Sequence, residues 1–150
     1  MFNSLRNIIE RPGPQTGEIP LDELLGALDA IARRELGAGL RLATPAPPPR
    51  RVSATLAGHA SFALREMLSN AVRHSGACDI EARVDLDVAT ITVGVDDDGV
   101  GPSELRERGV GLGSLSTRAE QCGGWFRLSG RYPKGSRARW AVPFQASRCH

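Results

Sequence analysis

Apolar residues recur at helical spacing in three stretches of the chain. Residues 21–36 and 56–74 each carry leucine, isoleucine or alanine at the i, i+3, i+4 spacing of an amphipathic helix, and a glycine closes each stretch. Residues 114–122 repeat the pattern over a shorter length and end at Gly123-Gly124. The three stretches therefore predict three helices, each with one buried face.

A period of two residues predicts strands between these helices. Residues 80–86 alternate apolar and polar side chains, and residues 90–95 follow with many β-branched residues after a turn near Asp87. Residues 125–129 and 137–142 form a second such pair. Helices that alternate with hairpin-like strand pairs predict an α+β fold, a two-layer sandwich in which a mixed β-sheet carries about three helices on one face.

Two segments fall outside this alternation. Residues 1–15 begin with a weak helical pattern that prolines interrupt, and we interpret them as the tail of a helix followed by a linker. The proline-rich stretch at residues 44–51 is typical of an extended connector, after a short strand at residues 40–43. Because neither side of this connector has enough apolar surface for its own core, we expect residues 16–150 to form one domain.

The composition is that of a soluble globular protein. Of 150 residues, 41% are hydrophobic and 24% are charged, and 19 basic against 17 acidic residues leave a net charge of +2. This small excess does not indicate nucleic acid as a partner, and no apolar run reaches the roughly 20 residues that span a bilayer. Three cysteines without a C-x-x-C spacing favour free thiols in a cytoplasmic protein over a zinc site. Trp125 and Trp140 fall on predicted strands and are expected in the core.

Polar side chains are concentrated on one side of the second predicted helix. Glu66, Asn70 and Arg73 lie at i, i+4 and i+7, next to His74. An Asn carbonyl is a hard oxygen ligand that suits Mg²⁺, and Arg and His bring positive charge to phosphates. An ordinary solvated helix face carries the same residue types, so the helix alone leaves both interpretations open.

A second polar cluster, VDDDGVG, ends the strand that begins at residue 90. It places Asp97 at the mouth of the sheet, followed by Gly99 and Gly101, which let a planar base lie against the backbone. A carboxylate accepts hydrogen bonds and donates none, so it suits the amino group of adenine better than the carbonyl of guanine. The alternative is a surface turn, since Asp-Gly is common in turns.

The third cluster is GVGLG, directly before the third predicted helix. It consists of Gly109, Gly111, Leu112 and Gly113 around one valine. Backbone N–H groups at a helix N-terminus, unobstructed by side chains, favour a phosphate group. The spacing differs from the G-x-G-x-x-G of dinucleotide folds, and no G-K-[ST] marks a P-loop. The three clusters in this order predict a site for a nucleotide bound with Mg²⁺.

These motifs resemble those of the catalytic ATP-binding domain of bacterial sensor histidine kinases, the Bergerat or GHKL ATPase fold. REMLSNAVRHSGA resembles the N box of that family, VDDDGVG its adenine-binding box, and GVGLGSLSTRAEQCGG its second glycine box. The tail GSRARWAVP resembles the closing strand, with Ser136 where threonine is customary. The residues of these motifs are similar to those of the NarL/DesK-like branch and, within it, to those of haem-based redox and hypoxia sensor kinases of actinobacteria.

The resemblance implies a role for each candidate residue. Asn70 would hold Mg²⁺ with Arg73 and His74 near the phosphates, and Glu66 matches the acidic N-box position, a candidate catalytic residue. Residues 102–108 would form a short ATP lid, and residues 1–15 would be the tail of a dimerisation helix with its linker. The residues expected to contact ATP are Asn70, Arg73, His74, Asp97, Gly99, Gly101, Gly109, Gly111, Leu112, Gly113 and Ser136.

The resemblance also implies transfer of the ATP γ-phosphate to a histidine on a separate dimerisation domain, for relay to a response regulator. None of His59, His74 and His150 lies in the H-D or H-E context of a phosphoacceptor, so we expect that histidine to lie outside this chain. Two alternatives stay open: a serine kinase of the anti-sigma type with the same fold, and a nucleotide-sensing module without transfer activity.

Overall fold

Three helices and seven strands make up the described part of the chain, which comprises residues 17–43, 47, 49–74, 79–101 and 112–144 of a computed structural model, with only the backbone of His74. The helices are α1 (Leu21–Leu36), α2 (Ala54–His74) and α3 (Leu112–Gln121). The strands are β1 (Glu18–Pro20), β2 (Arg41–Leu42), β3 (Arg51–Ser53), β4 (Ile80–Leu86), β5 (Thr90–Asp97), β6 (Trp125–Gly130) and β7 (Ser136–Pro143). Within these ranges, no helix has the length and apolar character needed to cross a membrane.

The central feature is a five-stranded sheet with the strand order β2-β4-β5-β7-β6. β2 runs parallel to β4, and the other neighbouring pairs are antiparallel, so the sheet is mixed. The helices pack on one face of the sheet, where α2 contacts β5, α1 and α3. The predicted α+β fold, a two-layer sandwich of a mixed sheet and three helices, is therefore confirmed.

Alternation along the strands separates a buried face from an outer face. On β5, Ile91, Val93 and Val95 are buried beneath the helices, and the residues between them face the other way. Trp140 lies opposite Val93 on β7 and is fully buried. Its indole Nε1 donates a hydrogen bond to the carbonyl oxygen of Leu115 at 3.2 Å, which satisfies a buried donor and holds α3 on the sheet.

The first helix has the boundaries that its sequence predicts. Gly37 follows it in the left-handed conformation, with φ of 74°, and its N–H donates to the carbonyl oxygen of Arg33 at 2.8 Å. Asp22 and Glu23 lie in the first turn, and Arg33 and Arg34 lie in the last. This charge distribution complements the helix dipole at both ends, and the Gly37 cap agrees with it on where α1 ends.

A two-stranded ribbon of β1 and β3 has no counterpart in the sequence prediction. Each strand is three residues long and β1 contains a proline, so neither offers the alternation that marks a longer strand. Ile19 and Val52 are register partners across the ribbon, and both are buried. The N–H of Leu21 donates to the carbonyl oxygen of Arg50 at 2.8 Å, so the ribbon ties the start of α1 to the chain that leads into α2.

Trp125 lies on the outer face of β6, contrary to the expectation that both tryptophans are core residues. It is 45% exposed, whereas its neighbour Phe126 packs against the core. Adjacent residues of a strand face opposite sides of the sheet, and the helices cover the side that holds Phe126. The prediction is therefore confirmed for Trp140 and wrong for Trp125.

A polar contact joins α2 to α3. Nη1 of Arg118 lies 3.1 Å from Nδ1 of His59, and the guanidinium stacks 3.7 Å from the centroid of the Phe62 ring. Because arginine can only donate, Nδ1 accepts, and the imidazole is neutral with its proton on Nε2. Burial lowers the pKa of His59, and the charge of Arg118 lowers that pKa further.

This contact predicts a pH dependence of stability. The pKa of His59 is below 6.5 in the folded chain, so the unfolded state binds more protons and the free energy of unfolding decreases as the pH falls. The stabilisation is complete above pH 6.5 and is lost as the pH falls through the lowered pKa. Urea denaturation at about pH 7.5 and 5.5 checks this, with His59→Asn as a control whose amide oxygen still accepts but does not titrate. Equal losses in both proteins would contradict the assignment.

Two glycines predict opposite responses to alanine. A Cβ at Gly26, on the exposed side of α1, would meet nothing within 4 Å, whereas a Cβ at Gly124 would overlap the carbonyl oxygen of Ala141 in β7. We expect Gly26→Ala to raise the free energy of unfolding by about 0.5–1 kcal/mol, because alanine favours the helix. Gly124→Ala should lower it by about 1–3 kcal/mol or more, since the strand must move. Urea titration followed by tryptophan fluorescence measures both, and a stabilised Gly124→Ala would refute the close approach.

Candidate functional site

The predicted polar motifs meet at one end of the five-stranded sheet. Asp97 ends β5, and its register partners are Ile80, the first residue of β4, and Ser136, the first residue of β7. Since β4 begins shortly after α2 ends, the end of α2 that carries Asn70 and Arg73 lies at this end of the sheet as well. Residues far apart in the sequence therefore come together here.

The N-terminus of α3 lies at the same end. α3 leads into β6, whose first residue, Trp125, pairs with Ala141 towards the opposite end of β7 from Ser136. The helix therefore runs across the sheet away from Asp97, with the Leu115 contact to Trp140 along its path. The N–H groups of its first turn consequently point to the end where Asp97 lies.

The polar residues of α2 lie on one side of that helix, as their spacing predicts. Glu66 and Asn70 are half-buried and Arg73 is exposed, whereas Leu64 and Leu68 on the apolar side of the helix are buried. Burial lowers the pKa of Arg118 on α3, and the nearby negative charge of Glu66 opposes this effect. Glu66 thus lies on the part of α2 that faces α3.

Asp97 is a carboxylate buried on the helix side of the sheet. It is 2% exposed and follows Ile91, Val93 and Val95 in the alternation of β5, so it continues the face on which the helices pack. Its Oδ1 accepts a hydrogen bond from the N–H of Gly99 at 2.9 Å. A carboxylate has about four lone-pair sites, so this turn leaves Asp97 with acceptor capacity for a ligand.

The neighbours of Asp97 in the run of three aspartates have other partners. Asp96 faces the outer side of the sheet, where Nη1 and Nη2 of Arg139 donate to its two oxygens at 2.7 and 3.2 Å. Oδ1 of Asp98 accepts from the N–H of Asp79 at 3.0 Å, next to the start of β4. The alternation of β5 thus puts one aspartate of the three, Asp97, on the helix side at the strand end.

Gly135, directly before β7, is the first residue of the GSRARWAVP tail, and the sequence alone assigns it no role in this region. Its φ is 113°, which favours glycine, and a Cβ there would overlap the carbonyl oxygen of Asp97. A Cβ at Gly101, where φ is 90°, would lie 3.2 Å from the carbonyl oxygen of Gly135. The turn after β5 therefore packs backbone to backbone on the turn before β7. The Lys-Gly-Ser sequence before a predicted strand is the signal that points to it.

Two positions of the third cluster form the first turn of α3. Leu112 is half-buried and Gly113 is exposed there. Outside the described residues lie Gly109, Gly111, the side chain of His74, the predicted lid at residues 102–108 and the predicted tail at residues 1–15.

The donor set at this end of the sheet fits a Mg²⁺ ion that arrives with a nucleotide. Among the described residues, no group of three or more His, Cys, Asp or Glu side chains could hold a metal. Asn70 offers one amide oxygen, and Glu66 lies one turn before it on the same side of α2. Mg²⁺ commonly takes one or two protein ligands and completes its shell with phosphate oxygens and water. The residues present therefore suit a nucleotide-borne ion better than a structural metal.

Known proteins share both the sequence pattern and the fold. Residues 57–146 match the family described as histidine kinase-, DNA gyrase B-, and HSP90-like ATPase. The sensor histidine kinase YxjM of Bacillus subtilis (strain 168) is 26% identical over 150 residues, a match that covers 97% of this chain and 36% of that protein. The chain thus spans about a third of the length of this relative.

Two solved structures have the same arrangement of helices and strands. The ATP binding domain of PrrB from Mycobacterium tuberculosis gives a TM-score of 0.61 at 23% identity, covering 85% of this chain and 96% of that one. The histidine kinase domain of a blue-light activated kinase from Erythrobacter litoralis EL346 gives 0.64 at 22% identity, covering 94% and 70%. Since the family match extends over more than half of the chain and takes in most of α2 with β5, α3 and β7, the chain belongs to the histidine kinase-, DNA gyrase B- and HSP90-like ATPase family.

Proposed function

We propose that this chain is the catalytic ATP-binding domain of a sensor histidine kinase, with ATP and Mg²⁺ as cofactors. The observation that carries the proposal is Asp97, a buried carboxylate at the end of a central strand, on the face that the helices cover. The Asn70 end of α2 and the N-terminus of α3 lie at the same end of the sheet. Membership of the ATPase family and the likeness to a sensor histidine kinase support the assignment.

Asp97 recognises the adenine in this proposal. Its carboxylate accepts a hydrogen bond from the exocyclic amino group, in addition to the one from Gly99. Because the side chain is buried, little water competes for that hydrogen bond. Gly99 and Gly101 leave space for the base, and Ser136, beside Asp97 in the sheet register, supplies a hydroxyl group. An acceptor at this position favours adenine over guanine.

The phosphates bind between the C-terminal part of α2 and the N-terminus of α3. Arg73 and His74 bring positive charge, and the glycine segment at residues 109–113 contributes backbone N–H groups. Asn70 would hold Mg²⁺, which would neutralise part of the phosphate charge. These residues position the γ-phosphoryl group, and phosphoryl transfer depends mostly on positioning and charge neutralisation.

The γ-phosphoryl group passes from ATP to a ring nitrogen of a histidine on a dimerisation domain, and ADP leaves. Glu66, on the same side of α2 as Asn70, takes the proton that the attacking group releases or orients that group. In this proposal a cytoplasmic response regulator then receives the phosphoryl group. The residues of the motifs in α2 and α3 support assignment of the chain to the NarL/DesK-like branch and, within it, to the redox and hypoxia sensors.

Adjacent aspartates provide a matched test of nucleotide binding. Asp97→Asn should weaken Mg-ATP by at least about tenfold, because it replaces a charged acceptor that faces the adenine. Asp96→Asn should leave the affinity close to wild type, since Asp96 pairs with Arg139 on the opposite face. Calorimetric titration of Mg-ATP, ATP without Mg²⁺ and Mg-GTP into each protein gives the result. Equal affinities in the two variants, or equal binding of Mg-GTP, would rule out the role of Asp97.

Phosphoryl transfer is tested separately, by measuring which partner residue receives the label from ATP. ATP labelled at the γ-phosphate, incubated with the chain and a histidine-bearing dimerisation domain, should label that domain with an acid-labile, base-stable phosphohistidine. Acid-stable label would identify the serine kinase alternative, and binding without label would identify the nucleotide-sensing alternative.

Gly135→Ala should also weaken Mg-ATP binding. The added Cβ overlaps the carbonyl oxygen of Asp97 and is strained at a φ of 113°, so the turn that presents Asp97 must shift. The matched control is Gly26→Ala, at an open helical position away from this end of the sheet. Calorimetry at a temperature where circular dichroism shows both variants folded makes the comparison. Wild-type affinity in folded Gly135→Ala would contradict the coupling of this turn to the site.

A further inference from the structure

The outer face of the sheet carries a row of arginines. The register aligns Arg41 with Arg83, Arg83 with Gly94, Gly94 with Arg139, and Arg139 with Arg127. Arginine therefore occupies four of the five positions of one row that crosses every strand. At the fifth position, Gly94, a Cβ would lie 2.6 Å from Nη1 of Arg139, so the glycine makes room for that side chain to lie across β5.

Carboxylates neutralise the part of the row on β2 and β4. Both arginines there have an acidic partner on the same face: Arg41 with Glu81 at 3.6 Å, and Arg83 with Asp85 at 3.2 Å. This part of the face is close to electrically balanced.

The part of the face on β6 and β7 is not balanced. Arg137 is half-exposed, and its Nε lies 3.8 Å from Asp96, a carboxylate that Arg139 already engages. Arg127 has no carboxylate within 4 Å among the described residues, and its guanidinium lies 4.9 Å from the centroid of the Trp125 ring. Among the described residues, Arg137 and Arg139 thus share one carboxylate, whereas Arg127 has none and lies beside an exposed aromatic ring.

Apart from the stacking of Arg127 on Trp125, the stability of the sheet does not account for this arrangement. Arg127 and Arg139 are direct register partners, and like charges directly opposite each other on neighbouring strands destabilise a sheet. Trp125 is 45% exposed on an edge strand, although a large apolar ring gains most from burial. Arginine and tryptophan are also the side chains most enriched at the energetic centres of protein interfaces.

We infer that the outer face formed by Trp125, Arg127 and Arg137 binds an acidic surface or segment of a protein partner. Guanidinium groups pair with carboxylates in a bidentate geometry, and the indole ring adds apolar contact area beside them. The carboxylate of Asp96 within this face opposes a continuous phosphate backbone, which favours a protein over nucleic acid. Because the face lies opposite Asp97, the inference is independent of nucleotide binding.

The test uses the whole chain and a fluorescently labelled oligoglutamate peptide, with oligoglutamine of the same length as the uncharged control. We expect salt-sensitive binding of oligoglutamate that changes the emission of Trp125 and that Mg-ADP does not displace. Arg127→Glu and Arg137→Glu should each weaken binding by about tenfold. Arg41→Glu makes the same change in net charge at the far end of the row, where Glu81 already pairs with the arginine, and should have little effect.

Several results would overturn the inference. One is that oligoglutamate does not bind, and another is that all three charge reversals weaken its binding equally. A third is that Arg127→Gln loses binding and also has a lowered melting temperature, because the loss would then come from a destabilised fold. Tighter binding of single-stranded DNA or of phosphatidylserine vesicles than of the peptide would assign the face to a phosphate-bearing polyanion instead. Dimerisation in sedimentation experiments that Arg127→Glu abolishes would assign it to a second copy of the chain.

Discussion

β5 lies at the centre of the sheet and is hydrogen-bonded to β4 on one side and to β7 on the other, and the register of these two pairings decides what each face of the molecule carries. With this register, Asp97 lies between Ile80 and Ser136 on the helix side, and Asp96 meets Arg139 on the outer side. A slip of one residue would exchange the two faces, burying an ion pair under the helices and exposing the apolar row that now forms the core. The site and the outer surface therefore depend on one strand alignment.

The helices contribute polar groups to the end of the sheet where Asp97 lies. α2 brings its polar side there, and α3 brings the N–H groups of its first turn. Two contacts hold α3 in place. The indole of Trp140 in the sheet donates a hydrogen bond to the backbone of α3, and Arg118 of α3 contacts His59 and Phe62 of α2. The Trp140 hydrogen bond contains no titrating group, whereas the contact of Arg118 with His59 depends on a neutral imidazole. The position of α3 on the sheet is thus less sensitive to protonation than its position against α2.

The elements that could be predicted from the sequence are those with a long, repeated pattern. α1 has the predicted boundaries because Gly37 and the terminal charges act locally, and both antiparallel pairs follow from their alternation. The ribbon of β1 and β3 is too short to show a pattern, and a period of two could not tell which side Trp125 would face. Asp96, Asp97 and Asp98 are the same residue type, so only the strand pairing shows which of them faces the helices. Gly135 matters because of a backbone that approaches from a distant turn. The roles of Gly109, Gly111 and His74 stay predictions.

The ribbon has a consequence for how this chain can change. The N–H of Leu21 binds the carbonyl oxygen of Arg50, and the N–H of Ala54 binds that of Gly17, so both ends of the intervening chain are anchored next to each other. The entropy of closing such a loop grows only with the logarithm of its length. Insertions and deletions in the proline-rich stretch after β2 are therefore inexpensive for the fold. We expect this stretch to accept extra sequence, whether acquired in evolution or inserted in the laboratory, without loss of the two anchoring hydrogen bonds.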